Sequence, residues 1–241
     1  MIYVFDLMEF QVLAAARNVD MYYGFPGESE AAQQEVSFAV YQLTRSGILK
    51  QQGEELIIQE PIAGYMGGIA LAGTVMVIDR GEFALPRQCV YYEPGKDGRS
   101  GRYLCLENSS TDSGRICLSV LDESAFFEQM EDLNQLPAPH LSGDMGEYDF
   151  ETYWNIHMDR ELREMLQAGF NVDTEQLLSQ KQVNTVFSCR DKKDGRLYHR
   201  MALLDFPMEY CMVVQECASV VKVERYSRET AGAILKTWWR E

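Results

Sequence analysis

Gln88-Cys89-Val90-Tyr91-Tyr92-Glu93-Pro94-Gly95-Lys96-Asp97-Gly98-Arg99-Ser100-Gly101-Arg102-Tyr103-Leu104-Cys105-Leu106-Glu107 reads as a strand, a turn and a returning strand. Valine, tyrosine and leucine on either side suit a pleated, half-buried surface, and the Pro-Gly-Lys-Asp-Gly break between them is rich in turn formers. The spacing predicts strands over Gln88–Tyr92 and Arg102–Glu107, and a third over Arg115–Leu121 after the polar break Asn108–Gly114. Three such segments in succession make an antiparallel meander. Asp122 then stands where it can cap a helix on which Phe126, Met130 and Leu133 fall at i, i+4 and i+7.

The same order recurs further along. Val183 to Arg190 and Arg196 to Leu204 flank the turn Lys192-Lys193-Asp194-Gly195, more strands are expected near Tyr210 to Val214 and Ser219 to Tyr226, and a helix from Ser227 to about Trp239 follows. The tetrapeptide Lys-Asp-Gly-Arg occurs in both hairpin turns, at Lys96 and at Lys193. Asp-Gly is favoured in any tight hairpin because it tolerates positive φ, so the element order is the stronger argument. The expected fold class is α+β, with two pseudo-symmetric halves, each an antiparallel β-meander with helices. Residues 137–153 shift to proline, glycine, serine and acid and form the expected linker, which separates an N-terminal α/β subdomain over residues 1–136 from a C-terminal one over 154–241. Two helices are expected in the second subdomain before its strands, one carrying Leu162, Met165 and Leu166 and the other near 174–180.

Before the first meander, Asp6 and Glu9 have the spacing of a capping box, and Leu7, Phe10 and Ala14 share one face of the helix they would open. Gly24-Phe25-Pro26-Gly27 breaks the chain. A second helix of about twenty residues, with Val36, Ala39, Val40 and Leu43 as its apolar stripe, should stop at Gly47. Ile48 to Ile58 then reads as a hairpin turning at Gly53, so residues of about 28–60 look like a winged helix preceding the two halves. A nucleic-acid-binding regulator is therefore one functional class to weigh. The candidate recognition helix, however, offers only Arg45, and the wing sets Glu54, Glu55 and Glu60 against Lys50. Duplex binding draws its affinity from lysine and arginine displacing condensed counterions, so no nucleic-acid partner is expected.

Composition bounds the remaining classes. With 46% hydrophobic residues in 241, the chain can bury a substantial core. The formal net charge of -15 is concentrated between Asp122 and Glu161, where eleven acidic residues face the single basic Arg160, whereas residues 181–241 carry eleven basic and eight acidic. Such a segment solubilises and steers more than it binds. Met1 to Asp6 lacks a basic, apolar leader, and Pro61 to Ile78 is too short and glycine-rich for a membrane span, so a cytoplasmic chain is expected. The six cysteines include no C-x-x-C pair and alternate with apolar neighbours, as reduced core thiols do.

Little in the sequence supports catalysis. His140, His157 and His199 are the only imidazoles, no nucleophile elbow, phosphate loop or zinc-helix motif occurs, and Asp144, Glu147, Asp149 and Glu151 lack the spacing of a calcium loop. We expect no catalytic residues, no metal and no cofactor, leaving a protein partner as the other functional class. The apolar residues of the C-terminal meander, Phe187, Tyr198, Met201 and Met212, are the candidate binding surface, with Trp239 at its margin and Trp238 turned inward.

This layout resembles the EspG chaperones of type VII secretion: a short helix, the Phe25-Pro26 turn, a second helix with a wing-like hairpin, then two meander-plus-helix halves. The hairpin turn at Asp194-Gly195-Arg196 is similar to one that family often carries. The resemblance implies pseudo-twofold symmetry around an antiparallel sheet and a cytosolic role holding helical secretion substrates before export.

Overall fold

The computed structural model describes residues 1–17, 19, 33–53, 55–80, 88–95, 101–108, 114–138, 183–205, 210–216 and 220–239. In chain order the elements are β1 (Ile2–Asp6), α1 (Leu7–Ala15), α2 (Gln33–Arg45), β2 (Leu49–Gln52), β3 (Glu55–Ile58), α3 (Ile62–Leu71), β4 (Thr74–Arg80), β5 (Gln88–Pro94), β6 (Gly101–Asn108), β7 (Arg115–Leu121) and α4 (Glu123–Asp132). They continue with β8 (Val183–Asp191), β9 (Leu197–Asp205), β10 (Tyr210–Glu216), β11 (Val220–Arg225) and α5 (Arg228–Trp238). Four strands and a helix, β4 to α4, thus recur as β8 to α5, and the fold is the expected α+β. The helices expected near 162–166 and 174–180 and the linker from residue 139 onward lie outside the described residues.

The described chain clusters into two compact units, one of Met1–Val77, Pro86–Phe126 and Asp191–Gly195, the other of Ile78–Leu85, Phe127–Arg190 and Arg196–Glu241. In the first unit the strand order is β1-β7-β6-β5-β4. Registers Tyr91↔Leu104 and Leu106↔Leu118 make β5, β6 and β7 an antiparallel meander. Its core gathers Phe5, Phe10, Leu13, Leu43, Leu49, Met66, Ile69, Tyr91, Leu104 and Leu118.

Three elements were not legible in advance, strand β4 over Thr74–Arg80 among them. Residues Ile2 to Asp6 form a strand, and the glycine-rich stretch after Pro61 contains helix α3. Glycine weakens a helix by itself, by about 1 kcal/mol per residue against alanine. Here it lets the helix approach the sheet, because a Cβ on Gly68 would lie 2.8 Å from Leu104 Cδ1 and 3.3 Å from the Glu93 carboxyl carbon. At this same C-terminal end of α3, the Lys192 ammonium donates to the carbonyls of Ile69 and Ala70, and the Lys192 amide donates to Gly73 O at 2.9 Å. No described helix is long and apolar enough to cross a membrane.

In the second unit β8, β9, β10 and β11 pair antiparallel in sequence order. The Ser227 hydroxyl accepts from the Thr230 amide at 3.0 Å and caps α5. This helix is fixed at its start by an Arg228–Glu131 ion pair of 2.7 Å and by the Tyr226 hydroxyl donating to Pro137 O at 2.9 Å. Further along, a Cβ on Gly232 would lie 3.6 Å from the Phe127 ring, and the Lys236 ammonium sits 4.8 Å from that ring's centroid. His199, expected to be a sheet or core residue, stacks on Trp238 with centroids 5.3 Å apart.

The described cysteines behave as core thiols: Cys89, Cys105 and Cys189 are buried and Cys117 half-buried. Beside them on β6, Glu107 pairs with Cys117, and burial pushes its carboxyl above the usual glutamate range. A carboxyl whose folded pKa is raised favours the folded state only while protonated, so this contribution is complete at acid pH and is lost as pH rises through the folded pKa. Glu107→Gln is therefore expected to raise stability at pH 7 relative to the parent and to give no gain near pH 4. Urea midpoints at the two pH values check it.

Candidate functional site

Among the described residues, the large apolar side chains left most exposed all belong to the first unit. Asp6 is the N-cap of α1, and its amide donates to Glu9 Oε2 at 2.9 Å, the capping box the sequence predicts. Phe10, Leu13 and Ala14 turn the inner face of α1 to the core, which leaves Leu7, Met8 and Gln11 toward α2. On α2, Ala39 and Leu43 are buried as expected, whereas Val36 is exposed rather than part of the inner stripe. Two aromatic residues were missed there altogether. Phe38 and Tyr41 are 60% and 58% exposed, large apolar side chains left in water on neighbouring positions of one helical face.

Gln34, Phe38 and Gln42 follow one another at i, i+4 and i+8, and with Ala39 they face Leu7 and Met8 across a cleft of about 520 Å³. Asp6, Glu9 and Glu35 also line it, and no basic residue does. The far end of α2 is closed by a Schellman motif: Gly47 takes φ +76°, its amide donates to Thr44 O at 3.1 Å, and the Ile48 amide donates to Leu43 O at 2.9 Å. The hairpin β2–β3 follows, paired Gln52↔Glu55 across Gly53 at φ +67°, so the expected winged-helix-like order is present. Leu56 and Ile57 on β3 add 42% and 36% exposure to the same unit.

The residues singled out on the C-terminal meander lie elsewhere. Phe187, Met201 and Met212 have no exposed surface, and Trp239 is 7% exposed. Phe187 and Met201 are cross-strand partners, Met212 is paired with Leu203, and Trp239 follows the last turn of α5. Tyr198 alone among them is half-exposed, with its hydroxyl accepting from Arg196 Nη2 at 3.2 Å and the guanidinium 5.2 Å from its ring centroid. The missed signal was the run Met201-Ala202-Leu203-Leu204, continuous rather than alternating, which marks a strand covered on both faces.

Among the described residues no group of three or more histidine, cysteine, aspartate and glutamate side chains stands close enough to hold a metal ion. No protein-family model and no curated protein sequence matches the chain. Among solved structures, the chain is similar to the Mycobacterium tuberculosis type VII secretion system chaperone EspG5, a structure determined in complex with a PE25-PPE41 dimer. The likeness covers 98% of this chain and 95% of that one, with a TM-score of 0.53 and 12% sequence identity. At that identity what the two chains share is their fold.

Proposed function

We propose that this chain is a non-enzymatic, cytosolic protein-binding protein of the EspG kind, a chaperone or adaptor that holds a helical partner of a type VII-like secretion system. The observation that carries the reading is the shared fold over nearly the whole of both chains, with a protein complex as the setting of the other. The exposed α2 face gives the partner a place to dock. Phe38 beside the apolar wall of Leu7 and Met8 is the kind of aromatic anchor on which binding energy concentrates. The glutamines and carboxylates of the rim supply hydrogen-bonding and steering groups for a helix laid along the cleft. The winged-helix-like hairpin serves as packing in this reading, since α2 and β2 offer only Arg45 and Lys50 to a phosphate backbone.

Tagged chain purified from its native host, with bound proteins identified by mass spectrometry, tests the proposal. A Phe38→Asp/Tyr41→Asp double variant is expected to recover about tenfold less of the captured partner or lower still, with its thermal midpoint within a few degrees of the parent's because both side chains are exposed. Undiminished capture by that variant would move the site off α2. A captured nucleic acid in place of a protein would overturn the reading itself.

A further inference from the structure

Strand β1 ends the order β1-β7-β6-β5-β4, and its hydrogen-bonding parity can be worked out. The Val120 amide donates to Met1 O at 2.9 Å and the Leu7 amide donates to Gly114 O at 2.7 Å, while the register between them runs unbroken from Ile2↔Ser119 to Asp6↔Arg115. Bonded and non-bonded positions alternate along an antiparallel pair, so Tyr3 and Phe5 exchange bonds with β7, and Ile2, Val4 and Asp6 direct their amides and carbonyls away from it. The Asp6 amide is taken by Glu9. The backbone groups of Ile2 and Val4 therefore form an open edge among the described residues. Their side chains are 66% and 56% exposed, and β1 has neither lysine, proline nor bulge, the usual devices that keep such an edge from pairing.

We propose that β1 is a docking edge for an extended segment of another protein, added as one more strand of the first unit's sheet, with β-branched residues over Ile2 and Val4 and a basic residue across from Asp6. Alternating outward donors and acceptors are satisfied by a β-strand, and a helix, whose own backbone groups are already paired, has none to give them. The basic residue follows from charge. Asp6 already meets Arg115 at 3.6 Å on the β7 side and keeps 63% of its side chain in water, so a cation on the new strand extends an existing ladder. A second copy of this chain fits less well: antiparallel self-pairing centred on Val4 sets each Asp6 against an Ile2, and two molecules of formal charge -15 repel. Asp6 is common to this edge and to the rim of the α2 cleft, but the edge is tested at the Ile2 and Val4 amides and the cleft at Phe38, so either surface can fail without the other.

The test uses the full chain and a capped hexapeptide of alternating valine and threonine with one terminal lysine, compared with the same peptide N-methylated at every amide. Without peptide, the Val4 amide is expected to exchange rapidly with solvent and the Phe5 amide slowly. With the unmethylated peptide, Ile2 and Val4 should gain about tenfold or more protection, and with the methylated one none. Val4→Pro removes an amide that β7 does not use, so it should fold and lose the protection at Ile2, and Val4→Lys checks the same edge should proline disturb the strand. Equal protection by both peptides, no protection by either, or unchanged binding by the two variants overturns the proposal. A dimer by sedimentation that Val4→Lys returns to monomer would assign the edge to a second copy instead.

Discussion

Phe187→Ala is expected to destabilise the protein by about 3–5 kcal/mol, the range for emptying a buried phenylalanine site. Phe187 has no exposed surface, and neither do its cross-strand partner Met201 and the next row's Leu203 and Met212. Val214, paired with Met201, is 3% exposed. The neighbouring positions that point to the opposite face, Val186, Ser188, Ala202 and Leu204, are equally buried. A cavity at Phe187 therefore opens inside a layer covered on both sides, where relaxation is limited and the loss sits near the upper end of the range. Urea denaturation followed by tryptophan fluorescence measures it. A midpoint within experimental scatter of the parent's would show that this ring is not core, and would return the C-terminal meander to consideration as a binding face.

Lys192→Met is expected to cost about 2–4 kcal/mol, the loss of two charge-assisted hydrogen bonds to carbonyls that have no other helical partner. Methionine keeps the buried stem of the side chain, so the change isolates the ammonium. That ammonium reaches Ile69 O and Ala70 O at the negative end of α3, where a cation also complements the helix dipole. The adjacent Lys193 is exposed, and Lys193→Met should change stability by less than about 0.5 kcal/mol. Hydrogen exchange separates the two explanations of a loss: the amides of α3 should exchange faster in Lys192→Met by a larger factor than those of β6. Equal acceleration everywhere would mean that the lysine contributes to global stability without holding the helix end.

Much of the architecture could be read from residues close together in the chain. The Asp6–Glu9 capping box, the Gly47 stop, the Gly53 turn and the Asp122 and Ser227 caps are local: the glycines supply a positive φ and the caps a side-chain acceptor for the first amides of a helix, and few residue types can do either, so the type betrays the position. The meander strands were legible for a similar reason, since valine, tyrosine and leucine runs bounded by Asn, Ser, Gly and Asp leave few alternatives.

What the sequence alone determined is therefore the order of the recurring strands and closing helices and of the helix and hairpin before them, without β1, α3 and β4. Which surfaces they bury was decided by tertiary structure. Periodicity treats a meander as having one inner and one outer face, and β8 and β9 turned out to be covered on both, which removes Phe187, Met201 and Met212 from the solvent. It assigns no helix to a stretch with glycines at 64, 67 and 68, because propensity counts only local entropy. Close approach to Leu104 and the distant Lys192 supply what those glycines lack. Phe38 and Tyr41 stay exposed although nothing in their own chemistry distinguishes them from core aromatics, and among the described residues β1 presents an open edge because β7 takes its other side. Exposure and edge are properties of what lies across space, and a single sequence records only what lies along the chain.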